Sequence, residues 1–231
     1  MSIVAKASFK KFIFSKITLL VLLGFSISAC TISTKNQSPY YHITQMFKDY
    51  CFFDVGSNWI YQNDQTGDTY HYAVSKITTY IGFHVKDPLG EAYSYDAIEM
   101  WNDTNDLHLT KGIITAGISP INNEKSNDLY RIFWDDSSFV LAFAPGYPMG
   151  EEQRLGGQEG LYTNIEELPT FSLNNKDYTN VYHTQVIKAE SASDTARLEF
   201  YFAPHVGLIK FSKVVKGQTT SYSLKEAKII Q

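Results

Sequence analysis

TARLEFYFAPHVGLIKFSKVVKGQTTSYSLKEAK, residues 195–228, is where the fold is most legible. Three strand-like runs are separated by two short turn signals, PHVG at 204–207 and KGQ at 216–218. In the first run Leu198, Phe200 and Phe202 fall on one face and Arg197, Glu199 and Tyr201 on the other, the period-2 pattern of a half-buried strand. Upstream, YTNVYHTQVIKAE (178–190) and the turn SASD add a fourth run. A four-stranded meander with one apolar face needs a cover. Either a second sheet packs across it, or the sheet curls and a helix or loop fills the concavity. The reversal at PHVG asks for a positive φ at Gly207; the competing reading is a strand glycine packed against a bulky neighbour.

The same grammar runs backward along the chain. SNWIYQ (57–62), the turn NDQTGD, and TYHYAVSKITTYI (69–81) read as strand, turn, strand, rich in the residues that suit a pleated surface. FHV follows Gly82, KDPLG turns, EAYSYDAIEMW (91–101) is the next strand, and NDTND turns before LHLT. LYRIFW and FVLAF form a hairpin through DDSS. PYYHITQMFKDY (39–50) has the apolar spacing of a short helix. Ala144–Pro169, with five glycines and three prolines, reads as the longest and most mobile irregular segment. The expected fold is mainly β: an antiparallel, strongly curved sheet or incomplete barrel with little helix. The alternative is two β-subdomains joined around 144–170.

The N-terminus has a different grammar. Lys6, Lys10, Lys11 and Lys16 precede an apolar core, Ile17–Leu23, and small residues lead to Cys30. Positive, apolar, small is the order of a secretory signal peptide, and the core is shorter than the roughly 20 residues of a membrane span. Ile27-Ser28-Ala29-Cys30 resembles the lipobox of bacterial lipoproteins. The resemblance implies diacylglycerol on the Cys30 sulfur, cleavage before Cys30 and acylation of the freed amine. The alternative is an ordinary signal peptide with an incidental cysteine. In that family's Gram-negative pattern, Thr31 rather than Asp after the cysteine implies the outer membrane. The resulting organisation is signal peptide 1–29, lipidated tether 30–39 and β-rich exported domain 40–231.

A second resemblance joins the two ends of that domain. DVGSNWIYQ (54–62) and YFAPHVGLIKF (201–211) are similar to a broad group of bacterial envelope lipoproteins whose exported domain opens with G-x-x-W-x-Y and closes with a Y-x-A-x-G-V-G-L-V-K-like strand–turn–strand. The matching residues are Gly56, Trp59 and Tyr61, then Tyr201, Ala203, Val206, Gly207, Leu208 and Lys210; His205 stands where the group commonly has Gly. The resemblance implies β-architecture and an envelope location, and brings no activity.

Composition narrows function further. The leader holds four of the 20 Lys and Arg and none of the 24 Asp and Glu, so the remaining 202 residues carry a net charge of −8. That argues against nucleic acid and against electrostatic docking on anionic headgroups. With Cys30 acylated, Cys51 has no intrachain partner and reads as a small buried hydrophobe. His71, His84, His108, His183 and His205 show no metal-ligand spacing. Asp135-Asp136, Glu151-Glu152 and Glu166-Glu167 fall in expected turns or loops, where adjacent carboxylates form a solvated surface. There is no G-x-S-x-G elbow, and GEEQRLGGQEG around Arg154 lacks the end of a P-loop. The expectation is therefore a non-enzymatic chain without cofactor, catalytic residue or metal, whose site residue is Cys30. Its partners are membrane lipid through Cys30 and a hydrophobic or amphipathic ligand in the sheet concavity; the alternative is a structural or assembly subunit that docks an envelope protein. Tyr70, Tyr72, Tyr80, Tyr93, Tyr95 and Trp101 are the aromatics that would line a ligand-binding face or else the core.

Overall fold

The computed structural model describes residues 38–86, 92–105, 109–117, 128–134, 138–154, 160–189 and 194–231. The leader, Cys30, most of the tether, the KDPLG turn after Lys86, His108 and Asp135-Asp136 lie outside the described residues. The elements are β1 (Tyr40–Tyr41), α1 (Gln45–Cys51), β2 (Asn58–Asn63), β3 (Thr69–Lys86), β4 (Ala92–Asn105), β5 (Leu109–Thr115), β6 (Leu129–Trp134) and β7 (Ser138–Phe143). They continue with β8 (Gln153–Arg154), β9 (Leu161–Leu173), β10 (Lys176–Ala189), β11 (Thr195–Ala203), β12 (Gly207–Val215) and β13 (Gln218–Lys228). Among the described residues no helix is long and apolar enough to cross a membrane.

All thirteen strands belong to one sheet, ordered β7-β6-β5-β4-β3-β2-β13-β12-β11-β10-β9-β8, with β1 added in parallel to β4. Apart from β1 the sheet is antiparallel; it curls until β7 meets β10 and β11, and it is not closed by a backbone ladder. This single hydrogen-bonded path replaces the two-subdomain alternative. The expected face of β11 is the inner one: Leu198, Phe200 and Phe202 are buried. What covers it is α1. Phe47 stacks on Phe143 at 5.3 Å, Tyr50 lies 5.2 Å from Phe143, and Phe143 is 5.0 Å from Phe202.

A seven-residue helix has little intrinsic stability and depends on its contacts. Thr44 caps it, accepting from the Phe47 N–H at 3.3 Å, and is itself held by Asp128, which accepts from the Thr44 N–H and hydroxyl. At the other end Gln231 donates to the carbonyls of Asp49 and Phe52. The helix is shorter than 39–50 because Tyr40–Tyr41 pairs with Ser94–Tyr95 instead.

The sheet's first edge meets its last strands through side chains. Thr184 donates to the Ala142 carbonyl at 2.6 Å. Asn164 donates to the carbonyls of Ala144 and Tyr147 at 3.0 and 2.8 Å, and Tyr162 accepts from the Ala144 N–H at 2.9 Å while donating to Asn164. Tyr162, Asn164 and Thr184 are fully buried. This corrects the reading of 144–169 as one irregular segment: β9 starts at Leu161 and runs through Pro169. The proline is tolerated because Thr170 pairs with Thr179 and Leu168 with Val181, skipping the place opposite, where Asn180 has φ +54°.

Two more boundaries differ from expectation. Gly82 does not end a strand; at φ +66° it sits in a register shift between Tyr80 and Phe83, inside β3. NDTND does not turn the chain at Asn102, since β4 continues to Asn105.

The two motifs of the lipoprotein resemblance touch. Trp59 Nε1 donates to the Val206 carbonyl and the Tyr61 hydroxyl to the Leu208 carbonyl, both at 2.7 Å. Those carbonyls lie beyond the end of the β12–β13 ladder, whose last pair is Lys210 with Ser223, so the aromatic donors satisfy what the ladder leaves open. Gly207, at φ +86°, satisfies both sequence readings at once. It has the left-handed backbone, and an added Cβ would stand 2.8 Å from Phe53 Cε2. Gly207→Ala therefore loses about 1–3 kcal/mol of stability, with a lowered midpoint in urea. Part of that loss is recovered in a Phe53→Leu background, and an alanine variant as stable as the parent would remove both causes. In the same assay Asn164→Leu loses about 3 kcal/mol or more, because it orphans the Ala144 and Tyr147 carbonyls in a buried seam.

Candidate functional site

The concave face is the first place to look. Trp59, Tyr61, Tyr72, Met100, Tyr130 and Phe202 line it, with Cys51 of α1 above them. The space left is about 30 Å³, enough for about one water and far below the several hundred Å³ of a small-molecule site. Its polar groups are chemically quiet. Burial pushes the Cys51 thiol well up, so no thiolate is available as a nucleophile. Burial likewise raises the phenols of Tyr61, Tyr72 and Tyr130, which stay protonated.

The histidines stand apart from one another. His183 Nδ1 lies 3.3 Å from Glu166 and Nε2 4.0 Å from Glu199, and its ring stacks on Tyr201 at 4.2 Å. Pairing with Tyr201 puts it on the outer face of the sheet. His84 bonds Ser94, His205 bonds Gln231, and His71 is exposed. Glu151 and Glu152 are exposed just before β8 and Arg154 is exposed within it. Among the described residues no three His, Cys, Asp or Glu side chains are grouped to hold a metal ion.

The six singled-out aromatics do not form one surface. Tyr72 packs at 5.2 Å on Trp59 and Tyr70 at 5.4 Å on Tyr222, toward the inside. Register shifts after Tyr72 and Val74 then change the facing of β3, so that Lys76 pairs with Trp101 and Tyr80 with Ala97. Tyr80, Tyr93, Tyr95 and Trp101 consequently lie on the side opposite Ile98 and Met100, which are in the core.

What the fold does display is an arm. β2 accompanies β3 only over Thr69–Ala73, and β5 accompanies β4 only over Ala97–Trp101. Among the described residues, β3 from Tyr80 to Lys86 is paired on one side only, by β4, over roughly 20 Å at about 3.3 Å per residue. On it Ile81 is 79% exposed, Phe83 50% and Tyr80 40%; Tyr40, on β1, is 41% exposed. Among the described residues these are four of the eight large exposed hydrophobics, so the apolar surface is concentrated here rather than scattered.

Asp96 ties the arm to β1. It accepts from the Tyr40 hydroxyl at 2.6 Å and from the Gly82 N–H at 3.3 Å, and lies 3.0 Å from His42 Nδ1. Sequence reasoning missed this clasp. The available signal was Tyr80-Ile81-Gly82-Phe83, where alternation fails around a glycine and a bulge exposes an apolar residue.

The clasp is expected to respond to pH. Partial burial pushes the Asp96 carboxyl up, but the bonds from Tyr40, His42 and Gly82 outweigh it and hold the group below its ordinary range. Tyr40 is pushed up, chiefly by its bond to Asp96. A lowered carboxyl stabilises above its unfolded value, about 4, and the contribution is lost as pH falls through the folded value. A raised phenol stabilises below about 10 and is lost as pH rises through its folded value. Amide protection of residues 40–43, referenced to the core strand β11, should therefore fall at both limits. Asp96→Asn should be less protected at neutral pH and lose the acid limb; an acid limb unchanged in that variant would show that another group controls β1.

No protein-family model matches the chain, and no curated protein matches it. A crystal structure of a "putative lipoprotein" from Parabacteroides distasonis ATCC 8503 is similar over 77% of this chain and 99% of that one, at 13% identity and a TM-score of 0.33. At that identity and superposition the likeness carries no argument about this chain's fold or activity.

Proposed function

We propose that the chain is a lipid-anchored envelope lipoprotein without catalytic activity, working as a structural or assembly subunit whose surface meets a partner. The observation that carries the reading is Ile27-Ser28-Ala29-Cys30 after a charged, apolar leader and nine residues before the first strand. Two or three acyl chains on Cys30, each CH₂ contributing about 0.8 kcal/mol when buried, hold a domain at a bilayer where one chain would not. In a diderm host Thr31 favours the outer membrane.

The filled concavity supports a role at the surface over one in the interior. A hydrophobic ligand in the concavity is the second reading, favoured by the apolar lining, and it requires α1 to move out. Mass spectrometry of the natively purified protein separates the two: a stoichiometric protein partner supports the first, and an exchangeable lipid that leaves α1 unprotected supports the second. For the anchor itself, Cys30→Ser should accumulate as a precursor that incorporates no labelled fatty acid. Normal processing and labelling of the serine variant would overturn the lipoprotein reading.

A further inference from the structure

We infer that the β3–β4 arm rests on the bilayer that holds the acylated Cys30, with Ile81 and Phe83 in the interfacial layer and Tyr80 beside them. The inference depends on the lipoprotein reading of Cys30.

Three observations converge. First, among the described residues four of the eight large exposed apolar side chains lie on the arm or on β1 next to it, and Ile81 is the most exposed of all. Second, the chain that leads to the anchor leaves from this same place. β1 is paired to β4 at Ser94–Tyr95 and clasped to the Gly82 bulge through Asp96, and nine residues separate Cys30 from Tyr40. That length of chain reaches at most about 36 Å, so anchoring Cys30 keeps the arm within reach of lipid. Third, the side chains are those that partition into an interface: aliphatic and aromatic groups, with phenols that keep a polar partner. The Tyr40 hydroxyl has Asp96 and the Tyr80 hydroxyl has Glu99 at 3.3 Å.

The exported part is acidic overall; among the described residues the arm carries exposed Lys86, and its Asp96 is engaged by Tyr40. The contact we infer is apolar and does not require anionic lipid. The bulge explains why Ile81 points out at all: the register shift between Tyr80 and Phe83 leaves it without a cross-strand partner.

The test uses the mature acylated protein in phosphatidylcholine vesicles with ordinary or dibrominated acyl chains. Ile81→Trp places a reporter on the arm. Thr219→Trp places one at the far end, where β13 runs beyond its pair Tyr222–Asn63, away from the direction in which β3 extends. After subtraction of the parent signal, dibrominated lipid should quench Trp fluorescence at position 81 at least twofold and at position 219 hardly at all. Equal quenching at both positions, or none at 81, overturns the inference while leaving the anchor intact. Protection of position 81 from aqueous iodide without quenching by bromolipid also overturns it, since a second copy of the chain then covers the arm. If the protein lacks acyl mass at Cys30 and does not float with the vesicles, the lipoprotein reading fails and takes this inference with it.

Discussion

An open sheet that buries one face has to dispose of its two free edges. Here the first edge, β7, is brought against the last strands, and its backbone is satisfied by Thr184, Asn164 and Tyr162 rather than by another ladder. A side-chain seam of this kind is demanding. Each buried donor and acceptor that loses its partner is left desolvated at a cost of about 1–3 kcal/mol. It also permits what a ladder would not: the edge strand approaches at an angle set by side-chain reach, and the sheet curls without closing. With β7 fixed there, Phe143 faces Phe202 and supplies the stacking surface for Phe47 and Tyr50. The seat of α1 therefore depends on the seam.

The helix in turn determines what the concavity can do. Seven residues would not stay helical alone, yet the cap at Thr44, the Asp128 carboxylate and the Gln231 amide hold both ends while three buried side chains fill the space below. The result is a core built largely from aromatics, with no room left for a ligand. The contacts of Trp59 and Tyr61 with the Val206 and Leu208 carbonyls serve the same end from the floor of the sheet. They fasten β2 to the β11–β12 turn where the β12–β13 ladder has stopped.

Local alternation was enough to read most of the strands, and the face of β11, the hairpin of β6 and β7 and the positive φ of Gly207 were all visible in the residues. The unread parts share a physical cause: one residue's departure changes the facing of everything after it. The register shifts near Val74 turn Tyr80 away from the side that Tyr70 and Tyr72 occupy, so a list of aromatics drawn by sequence spacing mixes two surfaces. Pro169 misled in a similar way. A proline argues against a strand interior, but here the pairing skips it, and Asn180 opposite turns left-handed and gives its carbonyl to the Tyr50 hydroxyl. The Asp96 clasp was legible only at its Gly82 end, through the β3–β4 bulge; Tyr40 joins it only after β1 pairs in parallel with β4.

The distribution of apolar groups has a consequence for how such a domain meets its surroundings. Burial of apolar surface is the main favourable term in folding, so a domain that fills its concavity with its own Phe47, Tyr50 and Phe53 has used that face. Ile81 and Phe83 are then costly to leave in water, and a sequence with no further use for them would more readily carry polar residues there. They sit beside β1, the first strand among the described residues, which pairs with β4. A flexible tether alone would let the domain tumble at the end of its anchor. A second, weaker apolar contact beside the tether would restrict that tumbling, since the first attachment already supplies the effective concentration. On the lipid-anchored reading, the clasp at Asp96 is the part that makes the two attachments act together: it fixes the distance between the tether's entry and the exposed side chains, so that anchoring one presents the other.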